Sequence, residues 1–70
     1  MNEKFTNIYI KDKNFYFNIL KDDPNNYEAK LKLGLIDVKE NNFSNAKIKF
    51  RDLIIIDFKK YEGYLNLANI

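Results

Sequence analysis

The sequence predicts an all-α chain of about four helices, folded as antiparallel hairpins of a helical-repeat solenoid. Three observations predict it. Residues 23–36 read DPNNYEAKLKLGLI and residues 57–70, 34 positions later, read DFKKYEGYLNLANI. Six positions coincide: Asp23/Asp57, Tyr27/Tyr61, Glu28/Glu62, Leu31/Leu65, Leu33/Leu67 and Ile36/Ile70. Apolar residues between and within these segments recur at spacings of three and four, which places them on one face of a helix. The segments are separated by short runs rich in Asp, Asn and Pro, which break helices. A period of this length is that of a helix–turn–helix unit, which cannot bury its apolar face without a neighbour.

The first helix is expected over residues 2–21, on the stripe Phe5, Ile8, Tyr9, Tyr16, Ile19 and Leu20. Asp12 interrupts that stripe, and Phe15-Tyr16-Phe17 has strand character. Asp22, Asp23 and Pro24 end the helix, because the residue before a proline is pushed away from helical angles. The second helix is expected over residues 25–40. Asn25 or Asn26 can cap it, and Glu28 places a negative charge in its first turn. Leu31, Leu35 and Val38 share one face while Leu33 and Ile36 share another, so this helix is sandwiched between neighbours. Asn41 suits a tight left-handed turn and Asn42 the next N-cap. The third helix is expected over residues 43–57, on Phe43, Ala46, Phe50, Leu53 and Ile54. Residues 53–56 are also a strong β-forming run; the helical stripe before them decides for helix. A fourth helix is expected over residues 59–70.

Composition bounds the function. Seventy residues make one domain at most. A chain of this size buries about 60% of its unfolded surface, so its stability is a few kcal/mol. There is no Cys and no His, so disulfides, thiolate metal sites and the usual nucleophile–base pairs are absent from the sequence. No cofactor and no enzymatic activity are expected. Twelve basic residues face ten acidic ones; the balance lacks the clustered base of a nucleic-acid or membrane surface. The first residues, MNEKFTNIYIKDK, hold no long apolar run of a leader or span. A soluble, cytoplasmic protein is the expectation.

The small residues Gly34 and Ala46, twelve apart, together with Leu33, Phe43, Phe50 and Leu53, resemble the tetratricopeptide repeat (TPR) family. The resemblance covers residues 24–57 as one full repeat, residues 1–23 as the second helix of a preceding repeat and residues 58–70 as the first helix of a following one. Ala68 repeats the slot of Gly34, and Leu67 that of Leu33. The resemblance implies a right-handed solenoid in which Gly34 and Ala46 face each other at the helix crossing. The chain departs from the family at four points. Lys30 stands for a bulky aromatic, Asp37 for Tyr or Leu, Phe58 for a closing proline and Asp12 for a small alanine.

The family usually binds extended peptides on a concave surface made by the first helices of successive repeats. Carried over, the groove-facing residues are Glu28, Leu31, Lys32, Leu35, Val38 and Lys39, then Glu62, Leu65, Asn66 and Asn69. Asn66 fits one slot of the family's carboxylate clamp, but Leu31 and Leu35 occupy two others, which argues against binding of chaperone tails. An apolar stripe rimmed by Lys32 and Lys39 suits a segment with acidic flanks. Two functions follow. One is a non-enzymatic scaffold that binds a protein or peptide partner. The other is a self-association module, or a piece of a longer array, that forms a homodimer through its uncapped ends.

Overall fold

The computed structural model describes residues 3–70, with side chains from Lys11 onward; Phe5, Ile8 and Tyr9 of the first stripe fall outside the described side chains. Four helices follow one another: α1 (Glu3–Asp22), α2 (Tyr27–Lys39), α3 (Phe43–Ile56) and α4 (Glu62–Ala68). Among the described residues there is no strand. The two segments with strand character, 15–17 and 53–56, are helical. Each helix packs on its neighbours in sequence.

The turns follow from particular polar groups. The repeated aspartates make the same turn twice. The Asp23 carbonyl accepts from Asn26 N–H at 3.1 Å, and the Asp57 carbonyl accepts from Lys60 N–H at 3.2 Å. After the first turn the Asn26 side chain accepts from Ala29 N–H at 2.9 Å and caps α2. The equivalent residue in the second repeat is Lys60, which has no acceptor to offer. Asp57 also accepts the Lys59 N–H on its carboxylate at 3.1 Å, holding residues 57–59 in an Asx turn. For these two reasons α4 starts at Glu62 rather than at the expected position 59.

Between α2 and α3, Asn41 takes a φ of 65°. Its N–H reaches the Val38 carbonyl at 3.0 Å, and that of Asn42 reaches the Asp37 carbonyl at 2.7 Å. These two bonds close α2 as a Schellman motif with Asn in the left-handed slot. Asn42 precedes α3 but its side chain makes no cap hydrogen bond, contrary to the expected capping role.

The core lies between α2 and α3. Ala29, Leu31, Leu33 and Ile36 of α2 are buried, with Ala46, Phe50 and Leu53 of α3 fully enclosed. The group nearest Gly34 is the ring of Phe50, one turn along α3 from Ala46. A Cβ on Gly34 would stand 2.5 Å from Phe50 Cε1, so the glycine makes room for that ring. The second glycine, Gly63, does the same for α4. A Cβ there would meet Ile54 Cγ1 at 2.8 Å, the Phe50 carbonyl oxygen at 3.0 Å and Leu53 Cβ at 3.2 Å. Thus α3 is approached closely on two sides through glycines.

Two charged residues of α2 are each paired with a charged residue of α3. Lys30 Nζ of α2 lies 3.0 Å from Asp52 Oδ2 of α3. Lys49 Nζ of α3 lies 2.6 Å from Asp37 Oδ2 of α2, and Asp37 is buried. The two pairs run in opposite order along the two helices, so α2 and α3 are antiparallel. At the start of α2, the Tyr27 hydroxyl donates to Glu62 Oε1 of α4 at 3.2 Å. Lys60 Nζ sits 4.5 Å from the centre of the Tyr27 ring.

Three outcomes follow. Gly34→Ala gains helix propensity of about 1 kcal/mol but overpacks an enclosed ring, which costs about 1–3 kcal/mol; Ala46→Leu has the same overpacking and no such gain. Both should lower the urea midpoint, Ala46→Leu by more, and a midpoint at or above the parent's for Ala46→Leu refutes the packing.

Removing one partner of the Asp37–Lys49 pair, as in Lys49→Met, should cost about 1–3 kcal/mol, because it strands a buried carboxylate. The double variant Asp37→Leu/Lys49→Met should recover most of that, since an apolar pair of similar volume commonly matches a buried ion pair. Additive losses in denaturant titrations would contradict this coupling.

Burial, then the hydrogen bond to Glu62 and the charge of that carboxylate, hold the Tyr27 phenol above its ordinary value of 10.0, opposed in part by the Gly63 backbone. The neutral phenol is favoured in the folded chain. Its contribution is complete below the unfolded value and is lost as pH rises through the raised one, because the unfolded chain releases the proton first. Tyr27→Phe should therefore lose less stability than the parent as pH rises above the ordinary phenol value of 10.0, read from thermal melts at each pH.

Candidate functional site

One groove gathers several of the expected binding residues. It lies between α1 and α2, has a volume of about 390 Å³, and is lined by Asp12, Tyr16, Lys32, Leu35, Ile36, Val38 and Lys39. On α2, positions 32, 35, 36 and 39 share a face because they are three, four and seven apart. On α1, Asp12 and Tyr16 are one turn apart and lie one above the other. Leu35, Ile36, Val38 and the Tyr16 ring give apolar walls. Lys32, Lys39 and Asp12 place charge at the rim.

The opening has a local cause. In the 34-residue register Asp12 holds the position of Ala46. Ala46 is completely buried and seals α2 against α3, whereas Asp12 is exposed. A methyl group can be enclosed between two helices, but an unpaired carboxylate cannot without a large desolvation penalty. The space at this level of the α1–α2 contact therefore stays open. Below it, Lys13 Nζ pairs with Glu40 Oε1 at 2.5 Å and ties α1 to the residue following α2. Lys32 Nζ lies 3.7 Å from Glu28 Oε1, one turn back on the same helix. Such an exposed pair is worth only a few tenths of a kcal/mol, so Lys32 is readily redirected to a ligand.

The remaining expected site residues stand elsewhere. Leu31 is buried in the core with Ala46, Phe50 and Leu53, and it is not available to a ligand. Glu28 is exposed and engaged with Lys32. Glu62 accepts the Tyr27 hydroxyl. Asn66 donates its side-chain amide to the Glu62 carbonyl at 2.8 Å, within its own helix. Leu65 is exposed on α4, and Asn69 is exposed at its C-terminal end. Lys32, Leu35, Val38 and Lys39 are thus brought together, while Leu65, Asn66 and Asn69 form no part of the same groove.

Sequence reasoning did not place Asp12, Tyr16 and Ile36 at a site. The signal for the first was present: it interrupts an apolar stripe, one turn before an aromatic residue. Ile36 gave no such signal, because it is buried and repeated as Ile70.

Among the described residues no cluster of three acidic, His or Cys side chains could hold a metal ion, and no helix is long and apolar enough to cross a membrane. None of the family models, characterised proteins or solved structures compared with the chain matches it.

Proposed function

We propose that the chain is a non-enzymatic protein–protein interaction scaffold, built on a TPR-like helical-hairpin solenoid. It takes an apolar peptide segment with acidic flanks into the groove between α1 and α2. One observation carries the reading: Lys32, Leu35, Val38 and Lys39, singled out from the sequence as partner-facing, converge on a single groove with Tyr16 and Ile36. Its volume of about 390 Å³ is within the ordinary range for ligand sites. Apolar walls with two lysines at the rim match apolar side chains preceded or followed by Asp or Glu. The 34-residue period supports the solenoid assignment, as does the close approach of helices at Gly34 and Gly63.

The test is direct. A fluorescein-labelled peptide of alternating leucine and glutamate should bind in a polarisation titration, with affinity falling as salt rises. The same peptide with lysine in place of glutamate should bind at least tenfold more weakly, a difference of about 1.4 kcal/mol. Lys32→Glu/Lys39→Glu should reverse the preference. Equal binding of the two peptides, or no binding at about 1 mM, would sink the assignment.

A further inference from the structure

The groove between α1 and α2 is charged unevenly along its length. Two contacts set the level of each rim residue. At the turn the Asp23 carbonyl accepts from Asn26 N–H, and Lys13 of α1 pairs with Glu40 just beyond α2. The two helices are therefore antiparallel, and Asp12, next to Lys13, stands across the groove from the Lys39 end of α2. Lys32 lies seven residues back, about 10 Å along the axis. At its level α1 runs through residues 17–21, a stretch without an acidic residue. Glu28, which pairs with Lys32, does not line the groove. So the Lys32 end offers a cation alone, while the Lys39 end has a cation on one wall and a carboxylate on the other.

That carboxylate has no partner in the fold. Asp12 is exposed, and among the described residues it makes no ion pair and no side-chain hydrogen bond. Its neighbour Lys13 is committed to Glu40. Water satisfies Asp12 while the groove is open. A ligand that fills the groove displaces that water, and a carboxylate covered without a partner costs free energy.

We propose that Asp12 sets ligand specificity: the peptide taken by this groove carries, besides an acidic residue for Lys32 or Lys39, one Lys or Arg that pairs with Asp12. This rests on the peptide reading and narrows it. A purely acidic peptide satisfies the lysines but leaves Asp12 covered and repelled. A segment with acid on one side and base on the other satisfies both walls. An extended peptide supplies this readily, because successive side chains point to opposite sides, so adjacent acidic and basic residues address α2 and α1. The base also gives the ligand one orientation, because only one end of the groove holds a carboxylate.

The test replaces each residue of the leucine–glutamate peptide in turn by lysine and by glutamine, and titrates each product against the full chain by polarisation. At one position or more, the lysine peptide should bind about threefold or more tighter than the glutamine peptide. Asp12→Asn should remove that difference, and Asp12→Lys should turn it into a preference for glutamate at the same position. Asp12 is exposed, so circular dichroism of both variants should match the parent. Lysine favoured at no position, or favoured equally by Asp12→Asn, overturns the proposal and leaves the groove reading standing. No binding by any peptide overturns the groove reading itself, and this proposal with it.

Discussion

The structure depends on how closely α3 is approached at Phe50. That ring is fully buried, and it lies over Gly34, where no Cβ could stand. On the other side Gly63 brings α4 down onto the Phe50 carbonyl, Leu53 and Ile54. Among the described residues this small core has seven buried apolar side chains, and three of them, Ala46, Phe50 and Leu53, belong to α3. Burial of one phenylalanine is worth about 1.5–3 kcal/mol, a large share of what a domain of this size has to spare. Two residues without side chains are therefore as consequential as any large one. They set the distance at which the rest of α2 and α4 meet α3.

Polar pairs then fix what packing leaves open. Lys30 and Asp37 are two charged residues on the side of α2 that meets α3. Each finds its partner on α3, at Asp52 and Lys49, at 3.0 and 2.6 Å. The charges are crossed. Sliding α3 along α2 by one turn would bring each group out of reach of its partner and leave Asp37 buried without one. Such pairs add little net stability, but breaking them is costly, so they select one register among the several that Leu and Ile would accept. The Tyr27–Glu62 hydrogen bond does the same between the starts of α2 and α4.

Much of this was legible in the sequence. The helix count, the turn positions and the closeness at Gly34 follow from the 34-residue period and from helical spacing, because both report the backbone pattern directly. What escaped depends on side-chain partners distant in sequence. Nothing local tells that the ring nearest Gly34 is that of Phe50, one turn along α3 from Ala46. Nor does composition show that Lys30 and Asp37 are compensated, because their partners lie 22 and 12 residues away. Gly63 passed unnoticed for another reason. Its counterpart in the first repeat is Ala29, so a small side chain was conserved in register while the residue was not repeated. Lys32, Leu35, Val38 and Lys39 of α2 line one groove, and the wall opposite them comes from α1, where Asp12 breaks the stripe.

That substitution gives α2 two unequal flanks. Toward α3 it meets Ala46, which is enclosed; toward α1 the same register position carries Asp12, which is not. Had both been alanine, both flanks would seal alike, and the groove would have no reason to exist. The carboxylate is an unfavourable choice for packing, since it gives up apolar contact and the better helix propensity of alanine. It also places a negative charge at the rim, across the groove from Lys32 and Lys39. Lost packing and mixed charge around apolar walls therefore coincide at this one position, where the local choice of residue disagrees with what packing alone would select.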